Sequence, residues 1–198
     1  MKIIKISKDG MDGNITKEMK DWFLKRTNKH ISLVRKYMKK IVDEFPEFED
    51  LMERMEDHDS PKFKEPELTP YIWITWKYKC EADGKDFKSY NPPENIDELI
   101  QQATEHHIKS QRHHPEYHCS KESNLVNSKD RDAVPDEMVD ATKMNDIDLC
   151  EMCADWMAVS KERGNTPIEW ANKNVNKRWK FSEHQKDLIY KILNLIWE

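Results

Sequence analysis

Three observations predict an all-α fold. The chain has only four glycines in 198 residues and is rich in Lys, Glu and Met, side chains that lose little freedom in a helix. Its apolar residues recur at helical spacing over long stretches. Capping residues and prolines fall where those stretches begin and end.

Residues 1–15 open with Met1-Lys2-Ile3-Ile4-Lys5-Ile6, a short strand-like run, followed by Gly10 and Gly13. They read as a lead-in to one domain over residues 16–198. Thr16 is a helix cap, with Met19, Trp22 and Phe23 on the apolar face behind it. Asn28 is placed to cap a second run reaching about Phe45. Within it His30, Val34, Tyr37, Ile41 and Phe45 recur at helical spacing, so His30 shares the buried stripe. Pro46 breaks this helix. A short helical stretch over 47–57, with Phe48, Leu51, Met52 and Met55, leads to His58-Asp59.

Pro61, Pro66 and Pro70 punctuate the next segment. Periodicity alone does not separate strand from buried helix over Tyr71–Lys79; in an otherwise helical chain a helix is expected, with Tyr71, Trp73, Ile74, Trp76 and Tyr78 packed on several sides. Residues 81–94 read as a loop. Asn95 then caps a helix to about His113, whose inward stripe is Ile96, Leu99/Ile100, Ala103, His107 and Ser110/Gln111. Pro115 ends it. Residues 118–135 read as a polar surface insertion, and 136–162 as a further helix. Trp170 to Trp179 is irregular or a short helix. Ser182 caps the last helix, with Leu188, Ile189, Ile192, Leu193 and Ile196 turned to the body.

Seven Trp and six each of Tyr and Phe supply large apolar side chains, enough for one core despite a charged fraction of 36%. The net charge of −5 provides no overall basic field, so nucleic acid is an unexpected partner and a small anionic substrate needs a local source of positive charge. No apolar run is long enough for a bilayer, and no signal-peptide pattern opens the chain. The four cysteines then read as reduced thiols in a cytoplasmic protein. A homo-oligomer is compatible with this composition.

The chemistry concentrates in Glu56-Asp57-His58-Asp59-Ser60-Pro61-Lys62. An imidazole and a carboxylate on adjacent residues can grip one divalent ion from one piece of backbone. His30 lies upstream; His106-His107 and His113-His114 lie downstream; Asp155 lies in a later helical run. Residues seven apart on a helix share a face at about 10.5 Å, too far for one ion, so two ions are possible. His107 and His114 follow the stripe; Pro115 distorts the backbone there, leaving His106 and His113 as the alternate pair. Asp155 borders the buried stripe, where a carboxylate is costly unless it is paired or binds a cation. Glu151, one turn earlier, is either a partner for a ligand imidazole or a solvated acid. Imidazole and carboxylate together suit Mn, Fe, Co, Ni or Zn. Lys62, three residues after Asp59, can meet a phosphate oxygen.

In this order the residues resemble the HD-domain superfamily of metal-dependent phosphohydrolases: His30, then His58-Asp59 with Lys62 at the lysine of HD-x-x-K, then His107 and His113-His114-Pro115-Glu116, then Asp155. A closer likeness is to an uncharacterised bacterial and phage branch. That branch carries HD-x-SKF (here His58 to Phe63), HH-x-x-x-x-x-HHPE followed by an aromatic (His106 to Tyr117) and EM-x-x-DW-x-A (Glu151 to Ala158). The resemblance spans roughly residues 28–195. The 118–135 insertion is longer than usual for the branch. The nucleotide-monophosphatase members do not carry the His-His-Pro-Glu block, so their substrate choice does not transfer.

The resemblance implies an HD-like helical bundle and hydrolysis of a nucleotide or other small phosphoester. It implies a first metal on His30, His58, Asp59 and Asp155, and a second held with help from His107 and His114. Lys62 would neutralise the phosphoryl group, and His106, His113 or Glu116 would protonate the leaving alkoxide. Two other classes compete. The superfamily also holds di-iron oxygenases with a similar ligand order. His118-Cys119 with Cys150-x-x-Cys153 could form a structural zinc site in a non-enzymatic module, although buried core thiols are the expected reading of those cysteines.

Overall fold

The computed structural model describes residues 14–119 and 137–197. The 1–15 lead-in (all but its last two residues) and the 118–135 insertion (all but its first two) lie outside the described residues. Among them the fold is an all-α bundle of seven helices, α1 (Lys17–Glu44), α2 (Leu51–Arg54), α3 (Leu68–Ala82), α4 (Ile96–Ser110), α5 (Asp146–Arg163), α6 (Pro167–Asn174) and α7 (Glu183–Ile196), with two-residue strands β1 (Val139–Asp140) and β2 (Trp179–Lys180). No helix among the described residues is long and apolar enough to cross a membrane. Two compact units can be distinguished within the span read as one domain. The first takes residues up to Asn28 and Pro61–His107; the second takes Lys29–Ser60 and the chain from Ile108 onward.

Helix α1 starts as expected, with Thr16 Oγ1 accepting from the Met19 amide at 3.2 Å. The expected break at Asn28 is absent. Residues 24–33 contain neither proline nor glycine, and one Asn in a helix interior costs only about 0.7 kcal/mol. The helix stops where Phe45 leaves helical geometry (φ −128°, ψ 77°) ahead of Pro46, the conformation a following proline imposes.

In the first unit Met19, Phe23, Ile72, Trp73, Trp76, Cys80 and Ile96 form the core. Helix α3 begins earlier than expected and takes Pro70 into its first turn, where no amide needs an intrahelical partner. Its packing is less even-handed than expected, for Tyr78 lies on the solvent side at 47% exposure. Trp73 and Trp76 meet Phe87 and Tyr90 edge to face at 5.9 and 5.2 Å. Those contacts hold a 3-10 turn over Phe87–Tyr90 inside the segment read as loop.

Helix α4 ends at Ser110, not near His113. Pro115 is the reason: His114, just before it, is extended (φ −97°, ψ 131°), and a helix through Pro115 would lose an amide and clash one turn back. His113 and His114 therefore sit in a turn, and the two-turn spacing argued for His107 and His114 does not apply.

The second unit is built on α5. Leu149, Cys150, Met152, Cys153, Ala154, Trp156, Met157 and Ala158 of this helix are all buried, against α2, α6 and α7. The helix begins at Asp146, ten residues later than expected, with Asn145 Oδ1 accepting from the Asp148 amide. It ends at Gly164, whose φ of 72° is a left-handed helix stop that glycine adopts freely. Val139 and Asp140 instead pair in parallel with Trp179 and Lys180. Helix α7 opens with a capping box between Ser182 and Gln185 and buries Leu188, Ile189, Ile192, Leu193 and Ile196.

Gln185 does more than cap. Its Nε2 donates to the carbonyls of Met144 at 2.8 Å and of Ala141 and Thr142 at 3.2 Å, tying α7 to the segment leading into α5. Gln185→Ala is expected to destabilise the fold by about 1–3 kcal/mol, since it leaves buried carbonyls and the Ser182 amide without their partner. Chemical denaturation checks this; an unchanged midpoint would contradict it.

Candidate metal centre

Three pieces of the second unit bring titratable side chains together: the middle of α1, the turn after α2, and one face of α5. His30 comes from α1, on the stripe that also buries Val34, Tyr37 and Ile41. His58 and Asp59 come from the turn, whose geometry Asp59 sets. Its φ of 60° is left-handed, a conformation Asp tolerates better than most residues but which still costs on the order of 1 kcal/mol. Both side chains are thereby buried, His58 at 2% and Asp59 at 1% exposure. Asp155 comes from α5.

His30 Nε2 lies 3.0 Å from Asp155 Oδ1 and 3.6 Å from Asp59 Oδ2. His58 Nε2 lies 3.9 Å from Asp59 Oδ2 and, though fully buried, has no hydrogen-bond partner among the described residues. His30, His58 and Asp59 each offer a ligand atom within 4.8 Å of the others. A buried imidazole nitrogen with no hydrogen-bond partner, 3.9 Å from a buried carboxylate, is spaced as it would be around a shared cation. The nitrogen and oxygen donors fit a divalent transition metal.

The other nitrogen of each imidazole is held from behind. His30 Nδ1 donates to Glu162 Oε2 at 3.1 Å, and His58 Nδ1 donates to Glu151 Oε1 at 2.9 Å. His113 Nδ1 reaches the same Glu151 oxygen at 3.2 Å. A carboxylate on Nδ1 fixes the ring orientation and leaves Nε2 to bind a metal. Glu151 is thus a partner of two buried imidazoles, not a solvated acid. The rings of His58 and His113 lie 4.5 Å apart, and those of His113 and His114 4.2 Å apart. Within the second unit, His113 is the member of that pair that Glu151 holds beside His58.

Electrostatics follow from this crowding. Burial opposes charge on His30, but Asp155 and Glu162 outweigh it and push the imidazole up to about 9. Burial likewise opposes charge on Asp155 and Glu151, yet the histidines win: Asp155 is held far below the usual carboxylate range and Glu151 at about 2. His58 is pushed down, chiefly by burial. Protons on imidazoles or a divalent cation between the acids answer the same negative charge.

A buried acid organises the periphery. Asp148 takes Arg112 through Nε and Nη2 at 3.1 and 3.2 Å, and Arg54 Nη2 at 3.0 Å. Arg54 stands four residues before His58, and its carbonyl accepts the His58 amide at 3.1 Å; Arg112 directly precedes His113. Asp148 therefore ties the two histidine-bearing turns to the first turn of α5. Sequence reasoning missed Asp148 and Glu162. Their signal was spacing, for residues 148, 151, 155 and 162 share one helix face over about 21 Å.

The remaining candidates have other surroundings. Glu116 accepts the Trp179 indole N–H at 2.9 Å, which anchors the turn after His114 near β2. Lys62, His106 and His107 belong to the first unit. There the Lys62 ammonium lies 5.3 Å from the Tyr71 ring, whose edge meets His107. The fully buried Glu67 accepts from His106 Nδ1 at 2.7 Å and His107 Nδ1 at 2.9 Å. Burial raises the Glu67 carboxyl, but the two imidazoles overcome it and hold the group below its ordinary value. Cys150 and Cys153 sit in the apolar core with their thiols pushed up by burial, and His118 Nε2 contacts the Arg112 carbonyl. These are core thiols, as expected.

Residues 19–195 match one family model, described as "Family of unknown function (DUF5662)", and the chain belongs to that family. No curated protein and no solved structure matches.

Asp148→Ala leaves two guanidinium groups without their acid. Arg54 and Arg112 retain 28% and 44% exposure, so the expected loss is on the order of 2 kcal/mol, below the roughly 3–5 kcal/mol of a fully buried broken pair. Denaturation of the variant measures it; no loss would contradict the tying role.

The metal-free protein should be most stable at roughly pH 6. The lowered Glu151 carboxyl stabilises it above pH 4.5, and that contribution fades as pH falls toward about 2. The lowered His58 adds to the acid-side loss below 6.5. The raised His30 imidazolium stabilises it below 6.5 and is lost as pH climbs through about 9. Melting temperature against pH, with chelator present, checks this; a value still climbing between pH 7 and 9 would contradict it.

Proposed function

We propose that this member of the DUF5662 family is a metal-dependent phosphohydrolase of the HD type, acting on a nucleotide or another small phosphoester. The observation that supports this best is the convergence of His30 Nε2, His58 Nε2 and Asp59 at one buried point, with Asp155 Oδ1 3.0 Å from His30 Nε2 and each imidazole backed by its own carboxylate. The ligand order along the chain, His then His-Asp then Asp, is that of HD phosphohydrolases.

In this reading those four residues hold the divalent ion. Held there, a divalent ion would supply Lewis-acid polarisation of a phosphoryl oxygen and a more acidic water at neutral pH. Glu162 and Glu151 keep protons on Nδ1 of His30 and His58, so each imidazole binds through Nε2 as the neutral ring. The left-handed turn at Asp59 lets two successive residues serve one ion. His113, tied to Glu151 next to His58, is the group best placed to hand a proton to the leaving alkoxide. Lys62, three residues beyond Asp59, is the expected partner of a phosphate oxygen.

The test is element analysis of the purified chain, followed by turnover of a phosphoester panel with added Mn or Ni. The wild-type chain is expected to carry at least one transition ion per molecule and to release phosphate. Asp59→Ala should cut metal content and turnover at least 100-fold while keeping helical circular dichroism. Wild-type metal content and turnover in Asp59→Ala would rule the assignment out. Iron with oxygen-dependent turnover and no phosphate release would replace hydrolysis by oxidation.

A further inference from the structure

Glu67 stands at the N-cap of α3, yet its side chain caps nothing there. It is fully buried. Both of its oxygens go to α4, Oε1 to His106 Nδ1 at 2.7 Å and Oε2 to His107 Nδ1 at 2.9 Å. Burying a carboxylate costs several kcal/mol before any partner repays it. Joining α3 to α4 would need one imidazole; here two adjacent ones are engaged, one per oxygen.

The chemistry of that arrangement is directional. An ionised carboxylate only accepts, so both Nδ1 atoms must carry hydrogen. Each neutral ring then has its lone pair on Nε2, the form that binds a metal ion. The second unit repeats the pattern at three imidazoles: His30 on Glu162, and His58 and His113 on Glu151. Tyr71 meets the His107 ring edge on at 5.7 Å and restricts its rotation further.

We propose that Glu67 is a positioning residue, which fixes His106 and His107 in the Nδ1–H tautomer so that His107 presents Nε2 to a divalent cation. This rests on the reading of the chain as a metal enzyme, and adds to it the acid that prepares His107, within the first unit, to bind an ion.

The test uses the full chain with 15N-labelled histidine, in the metal-free form and above the imidazole titration range. Long-range proton–nitrogen spectra separate the two tautomers, and His106→Asn and His107→Asn assign the signals. The wild type is expected to show Nδ1–H on both rings. Glu67→Gln keeps the size of the side chain but replaces one acceptor by an amide donor. One of the two rings should then switch to Nε2–H. In calorimetric titration with Mn or Zn, the affinity for an ion held through His107 should fall about 10–100-fold, as it should in His107→Asn, while Asp59→Ala is expected to remove a different binding event.

Nε2–H on His107 in the wild type overturns the proposal without any variant. Unchanged tautomers and unchanged affinity in Glu67→Gln, with wild-type uptake intact, overturn it and leave the metal-enzyme reading standing. No uptake of a divalent ion by the wild-type chain overturns both.

Discussion

Carboxylates set along one face of α5 are what the candidate centre depends on. Asp148, Glu151, Asp155 and Glu162 share that face, while Leu149, Cys150, Met152, Cys153, Ala154, Trp156, Met157 and Ala158 are buried among apolar side chains. Each acid pulls a cationic or imidazole group toward α5: two arginines to Asp148, two histidines to Glu151, and His30 to Asp155 and Glu162. Ionised carboxylates in such a setting persist only when countered. The helix therefore dictates where α1 and the turns around 58 and 113 present their side chains.

The left-handed residue at Asp59 completes that constraint. A turn in ordinary helical geometry would aim neighbouring side chains about 100° apart. Here both His58 and Asp59 are buried, with His58 on Glu151 of α5 and Asp59 Oδ2 3.6 Å from His30 Nε2. Strain of this kind persists where the surrounding structure over-determines it, and the His58 amide on the Arg54 carbonyl and the Ser60 amide on the Asp57 carbonyl supply that support.

Much of this was legible in the sequence because it is local. Thr16 and Ser182 sit at real caps, Pro46 ends a real helix, and His30 lies on the buried stripe that its spacing indicates. Asp155 was legible because it borders an apolar stripe. Glu162, Asp148 and Glu67 were not, since an acid on a helix or beside prolines reads as solvated until its partner, 36 to 132 residues away, is placed against it. The end of α4 was misplaced for a related reason: periodicity runs on through His114, but Pro115 acts on the backbone before it. Strands of two residues, β1 and β2, are too short to leave a period.

Anomalous X-ray scattering from crystals grown with Mn or Ni tests the central claim most directly. The account predicts an ion bonded to Nε2 of His30 and of His58 and to carboxylate oxygens of Asp59 and Asp155, with Glu162 and Glu151 still on the two Nδ1 atoms. Crystals soaked to saturation in which those four side chains hold no ion, or in which the metal lies elsewhere, would contradict it.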